Sequence, residues 1–159
     1  MKITILCVGK IKERFYQEAV AEYVKRLSRY ASVKIVEVAD EKTPDEASSK
    51  EEALILEKEG ERLMKAIPED GYVTALAIEG KKYDSVKLSG HLSDLMVSGS
   101  SHLVYVIGGS LGLSPRVLAR ANEKLSFSDL TFPHQLMRVI LLEQIYRSFR
   151  IMKGEPYHK

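Results

Sequence analysis

The segment Val106-Ile107-Gly108-Gly109-Ser110-Leu111-Gly112-Leu113-Ser114 ends an apolar run that begins at His102 and passes it on to Pro115. Residues 102–107 are rich in β-branched and aromatic side chains, which favour a strand. The three glycines that follow allow tight backbone turns and close approach by a ligand. Ser114 before Pro115 is a helix start, a hydroxyl cap ahead of a proline in the first turn. The unit is strand, loop and short helix, the last running to about Ala121.

The rest of the chain repeats that unit. Residues 2–8 predict a strand ended by Gly9. Phe15, Ala19, Tyr23, Leu27 and Tyr30 then recur at helical spacing across residues 12–30. Residues 33–39 predict a second strand. Thr43-Pro44-Asp45-Glu46 has the pattern of a capping box and predicts a helix from there to about Ala66. Leu54, Leu56, Leu63 and Met64 are the apolar positions of that helix, and Gly60 weakens it. Residues 72–78 predict a third strand terminated by Glu79-Gly80, and Asp84 or Ser85 caps a helix to about Met96. On the C-terminal side, residues 124–127 predict a short fifth strand. Pro133 opens a last helix to about Met152, with Leu136, Val139, Ile140, Leu142 and Tyr146 on its apolar stripe.

Five strand–helix alternations predict an α/β fold, a parallel sheet with helices on both faces, spanning residues 1–159 as one domain. Such sheets bind ligands beyond the carboxyl ends of their strands, where the loops after Ile78, Ile107 and Phe127 lie. No apolar run reaches the length of a membrane span. The single Cys7 sits in the first strand, where a cysteine usually serves as a small hydrophobe, and it fits a reducing cytoplasm. The four histidines are scattered without metal-ligand spacing, so no metal is expected. The net charge of +2 is unevenly spread: residues 41–70 carry ten acidic and five basic groups, residues 116–159 four and eight. The basic C-terminal part could meet a polyanion or form solvated helix faces.

Two loops could carry chemistry. The first, Gly108-Gly109-Ser110-Leu111-Gly112, lacks the glycine spacing of a dinucleotide fingerprint and the lysine of a phosphate-binding loop. It is a cofactor loop or a tight turn before a helix. The second, Ser126-Phe127-Ser128-Asp129-Leu130-Thr131-Phe132-Pro133-His134, mixes hydroxyls with apolar side chains. That suits a mostly apolar small molecule, or an ordinary strand–helix connection.

Taken with Tyr146-Arg147 and the terminal Pro156-Tyr157-His158-Lys159, these two loops resemble the RlmH family along the whole chain. That family comprises small bacterial SPOUT-class methyltransferases acting on pseudouridine in large-subunit ribosomal RNA. The resemblance implies a C-terminal trefoil knot, an exception to ordinary connection rules, and S-adenosylmethionine as cofactor. Carried over by position, Leu76, Gly108, Phe127, Ser128, Asp129, Leu130, Thr131 and Phe132 would contact the cofactor. It further implies a cytoplasmic homodimer with the last helix at the interface, the tail of one subunit completing the site of the other, and the ribosome as substrate. On that reading Tyr157 could stack on a base, and His158 could bond the target base or help remove its N3 proton. Arg147 could offset a phosphate or the developing anion. Arg138, Arg150 and Lys153 are candidates for phosphate contacts, and Asp129 for offsetting the cofactor's cationic end. A non-enzymatic ribosome-binding factor is the alternative.

Overall fold

The computed structural model describes residues 1–158. Lys159, read above as the basic end of the tail, lies outside the described residues. The elements run β1 (Lys2–Val8), α1 (Arg14–Leu27), β2 (Ser32–Val38), α2 (Ser49–Ala66), β3 (Tyr72–Lys82), α3 (Ser85–Val97), β4 (His102–Ile107), α4 (Pro115–Arg120), β5 (Glu123–Ser126) and α5 (His134–Met152). The strands form one parallel sheet in the order β2-β1-β4-β3-β5.

The central strands β1 and β4 are apolar on both faces because both faces are covered. Ile3, Ile5 and Cys7 pack with Leu103, Tyr105 and Ile107 under Leu27 of α1, Leu92 of α3 and Leu142 of α5. Leu6, Val8, Val104 and Val106 point the other way, against Leu63 of α2 and Val117 of α4. This alternation is the two-residue period of a strand. Burial pushes the Cys7 thiol up to about 12, so it stays protonated and serves as packing.

Several expectations are corrected. The helix expected from Thr43 begins at Ser49. Ser48 is its cap, in a reciprocal capping box with Glu51, and residues 44–47 form a turn closed by Ala47 N–H donating to Pro44 O at 3.2 Å. Thr43 instead places its hydroxyl 3.3 Å from that of Ser110 in the Gly-rich loop. Helix α2 runs unbroken through Gly60, which sits so close to α4 that a Cβ there would stand 2.3 Å from Ser114 Oγ. Its core side is Ile55, Glu59, Gly60 and Leu63, while Leu54 is exposed; on α1, Phe15 is exposed and Val20 and Leu27 are buried. Strand β3 passes through Glu79-Gly80 to Lys82. Its register against β5 breaks between Leu76 and Lys81, and a Cβ on Gly80 would stand 2.7 Å from the Leu125 backbone.

Beyond β5, at one edge of the sheet, residues 127–133 cross the carboxyl ends of β3 and β4. They reach His134 beside Gly9, just past β1. Helix α5 then packs between α1 and α3. Its buried face is Arg138, Leu141, Leu142, Ile145, Ser148 and Phe149. Leu136, Val139, Ile140 and Tyr146 are only half-buried. Arg138, expected on the surface, is fully buried: Nη1 donates to Glu37 Oε2 at 2.6 Å and Nη2 to Gly9 O at 2.6 Å. Glu37 Oε2 also accepts from Ile11 N–H at 3.0 Å, and Gln135 Oε1 accepts from Lys12 N–H at 3.1 Å. The crossing segment is thus anchored at its far end by hydrogen bonds to the β1–α1 loop and β2.

Candidate functional site

Three loops meet at the carboxyl ends of β3, β4 and β5 around a cleft of about 840 Å³. Each is shaped by local sequence. The broken β3–β5 register takes residues 77–80 out of regular pairing and puts Ala77, Ile78 and Glu79 into the cleft wall, with Leu76 at the break. In the Gly-rich loop, Gly109 and Gly112 pair across a turn, with Gly112 N–H donating to Gly109 O at 3.1 Å and Gly112 at φ +83°. Gly108 lies so close beneath that turn that a Cβ would stand 2.4 Å from Gly112 O. The third loop is tightened by its own hydroxyls: Ser126 Oγ donates to Ser128 O at 3.1 Å, and Leu130 N–H donates to Ser128 Oγ at 3.0 Å.

Of the residues assigned to cofactor binding, Leu76, Gly108, Phe127, Ser128, Leu130, Thr131 and Phe132 line this cleft. Asp129 does not. Its carboxylate turns outward and is ion-paired with Lys82. The acid in the cleft wall is Glu79, which the sequence reading took for a strand terminator. Among the described residues no lysine or arginine lines the cleft. A phosphate chain would find no cation there, whereas an adenosine-like ring would find apolar walls and backbone, and a small cationic group would find Glu79. His134, expected to open the last helix, does so and also borders the cleft. Its burial, with the nearby Arg138 charge, holds its imidazole below the usual histidine range, so it is neutral.

Arg147, Tyr157 and His158 come together within one chain. After α5 the tail folds back along the helix, held by Arg150 Nη2 donating to Pro156 O at 3.1 Å and by an Arg150–Glu155 ion pair. Arg150 is therefore engaged in the turn, while Lys153 is exposed. Tyr157 stacks under the Arg147 guanidinium, 4.7 Å from ring centroid to Cζ, and donates to Glu143 Oε1 at 3.1 Å. The same Glu143 oxygen accepts from Arg147 Nε at 3.0 Å and Nη2 at 2.6 Å. Arg147 Nη1 lies 3.2 Å from His158 Nδ1. Burial and the Glu143 charge push the Tyr157 hydroxyl up to about 12, so it remains a donor at neutral pH. Glu143 was missed, yet an acid four residues before an arginine is a readable helix pair. Among the described residues no cluster of three or more possible metal ligands occurs.

The cleft can hold an uncharged or cationic nucleoside, and α5 and the tail gather a guanidinium, a hydroxyl and an imidazole into one cluster. Comparisons with known proteins give the family. The family model described as "Predicted SPOUT methyltransferase" matches residues 1–158. The chain is 60% identical to the ribosomal RNA large subunit methyltransferase H of Bifidobacterium animalis subsp. lactis and 59% identical to that of Bifidobacterium adolescentis. It is 56% identical to that of Clostridium acetobutylicum, and all three alignments cover 100% of both chains. The chain belongs to the SPOUT methyltransferase family and has that family's α/β-knot fold.

Proposed function

We propose that the chain is an S-adenosylmethionine-dependent methyltransferase that modifies N3 of a pseudouridine in large-subunit ribosomal RNA, on the assembled ribosome in the cytoplasm. The observation that carries the cofactor is the mostly apolar cleft, lined among the described residues by no lysine or arginine and with Glu79 in its wall. The names of the relatives supply the RNA, and the basic C-terminal part of the chain agrees with it.

When bound, the cofactor supplies the methyl group and the sulfonium leaving group. The chain's own groups bind and orient. Gly108 lets the loop close tightly on the Gly112 backbone at the cleft wall, and Leu76 and Phe132 provide apolar walls. Glu79 offsets the positive charge more closely than Asp129 could. Arg147 carries a permanent charge that Glu143 fixes in direction, suited to an anion developing on a uracil-like ring. Because Arg147 donates to His158 Nδ1, that nitrogen accepts and the ring N–H is at Nε2. His158 is then a donor to a ring carbonyl, which lowers the cost of losing the N3 proton, and that proton leaves to solvent. Tyr157, protonated and stacked, positions rather than abstracts.

The half-buried Leu136, Val139 and Ile140 on α5 support a homodimer with this helix at the interface, the folded-back tail being carried towards the partner's cleft. Isothermal titration with S-adenosylmethionine and with ATP tests the cofactor assignment. Saturable binding of the first with none of the second is expected. ATP binding alone, or neither ligand binding, would contradict it and favour a non-enzymatic ribosome-binding role.

A further inference from the structure

The Gly-rich loop faces the cleft on one side and leans on α2 and the residues after β2 on the other. Gly109 and Ser110 line the cleft. Behind Gly109 lies the Glu59 carboxyl of α2: a Cβ on Gly109 would stand 3.4 Å from its Oε1 and 3.5 Å from its Oε2. Thr43, in the β2–α2 connection, places its hydroxyl 3.3 Å from that of Ser110. At the far end of the loop Gly60 leaves room for Ser114. Residues 39–43 are in turn fixed to α2. Glu41 N–H donates to Glu59 Oε2 at 2.9 Å, and Arg62 Nη1 donates to Ala39 O at 2.9 Å. The Glu41 carboxylate pairs with Arg62 at 3.3 Å and with Lys58 at 3.6 Å. Glu59 is the joint of this support: it backs Gly109 and also holds the segment that carries Thr43.

We propose that Glu59 and Thr43 are positioning residues for the cofactor: without touching it, they hold the Gly-rich loop from behind in the shape that receives S-adenosylmethionine. The inference rests on the cofactor reading above. The fold itself has no need of an acid at this place. Glu59 is 4% exposed and shares its helix face with Ile55 and Leu63. Burial pushes its carboxyl up, so its charge costs stability at neutral pH. An unbranched apolar side chain would fill the same space at less cost, and no step of the proposed reaction uses the acid. The loop, by contrast, needs outside support. Its three glycines leave the backbone wide freedom, and a ligand that must order its own loop binds more weakly than one that meets it already formed. Glu59 supplies what an apolar residue could not, an acceptor for Glu41 N–H.

The test uses the full-length protein, with calorimetry against S-adenosylmethionine, thermal unfolding, and methyl transfer to ribosomes lacking the modification. Glu59→Met keeps the length of the side chain and removes the acceptor, whereas Glu59→Gln keeps an acceptor. Thr43→Val removes the hydroxyl and keeps the shape, whereas Thr43→Ser keeps the hydroxyl. Glu59→Met should raise the Kd for S-adenosylmethionine about tenfold, and Thr43→Val about threefold, the effect of one lost hydrogen bond in each case. Glu59→Gln and Thr43→Ser should both stay within about twofold of wild type. The KM for ribosomes should not change in any variant, and the Tm of Glu59→Met at neutral pH should be no lower than that of wild type. A merely structural role would lower Tm and disturb both substrates together, and that result overturns the assignment. So does wild-type cofactor affinity in Glu59→Met or in Thr43→Val, which leaves the cofactor reading intact. A wild-type protein that binds no S-adenosylmethionine overturns both. Should Glu59→Met fail to fold, the two Thr43 variants decide alone.

Discussion

Removing Glu37 should destabilise the protein more than removing its partner Arg138, although Arg138 is the more buried of the two. The Arg138 side chain is 0% exposed and Glu37 33% exposed. In Glu37→Ala the guanidinium stays buried with Gly9 O as its one remaining acceptor. Breaking a buried pair by deleting one partner costs about 3–5 kcal/mol, and water reaching the Glu37 side places this case near about 3. In Arg138→Met the charge goes and methionine fills most of the volume. The loss is one hydrogen bond to Gly9 O, about 1–2 kcal/mol, because Glu37 keeps Ile11 N–H and can turn to solvent. With a urea slope of roughly 2 kcal/mol per molar, the midpoints should fall by about 1.5 M and about 0.7 M respectively. The assay is urea unfolding followed by circular dichroism, all variants at one protein concentration because association shifts apparent stability. Equal midpoints, or a larger loss in Arg138→Met, would refute the view that an unpaired buried cation dominates here.

Gly108→Ala should weaken S-adenosylmethionine binding about tenfold or more in calorimetry while the far-ultraviolet spectrum stays native, because its Cβ would meet Gly112 O at 2.4 Å inside the cleft loop. Gly60→Ala should lower Tm despite alanine's helix propensity: overpacking against Ser114 costs about 1–3 kcal/mol and exceeds the roughly 1 kcal/mol gained in the helix. Burial holds the Glu59 carboxyl above the usual range, so the folded chain binds that proton more tightly than the unfolded chain. That contribution to stability is present at low pH and is lost as pH rises through the folded value. Glu59→Gln should therefore raise Tm near neutral pH, and the gain should vanish below about pH 4, where wild type is itself neutral; a pH-independent difference would contradict the assignment.

The sheet and its helices were readable because their signals are local: β-branched runs, helical spacing, and Ser114-Pro115. Errors arose where two local signals competed. Thr43-x-x-Glu46 and Ser48-x-x-Glu51 both have the capping-box pattern, but only the second caps a helix, and Thr43 meets Ser110 in a loop distant in sequence. Glu79-Gly80 looked like a strand end, but Gly80 is where β3 presses on the Leu125 backbone and continues. Arg138 looked like a surface cation, although it shares a face with Leu141, Leu142 and Ile145. Its partners lie about a hundred residues or more away, so no window could show them. In the site, the cleft-lining loops were visible as glycines and apolar side chains. That Glu79 and not Asp129 lines the cleft was not, because it depends on which way a bulge and a turn point their carboxylates.

The most direct test of the whole account is nucleoside analysis by mass spectrometry of large-subunit ribosomal RNA, taken from ribosomes lacking the modification and incubated with the protein and S-adenosylmethionine. The account predicts one new N3-methylated pseudouridine per ribosome, dependent on both protein and cofactor. An unmodified RNA from a protein that binds the cofactor saturably, or a methyl group on another atom, would contradict it.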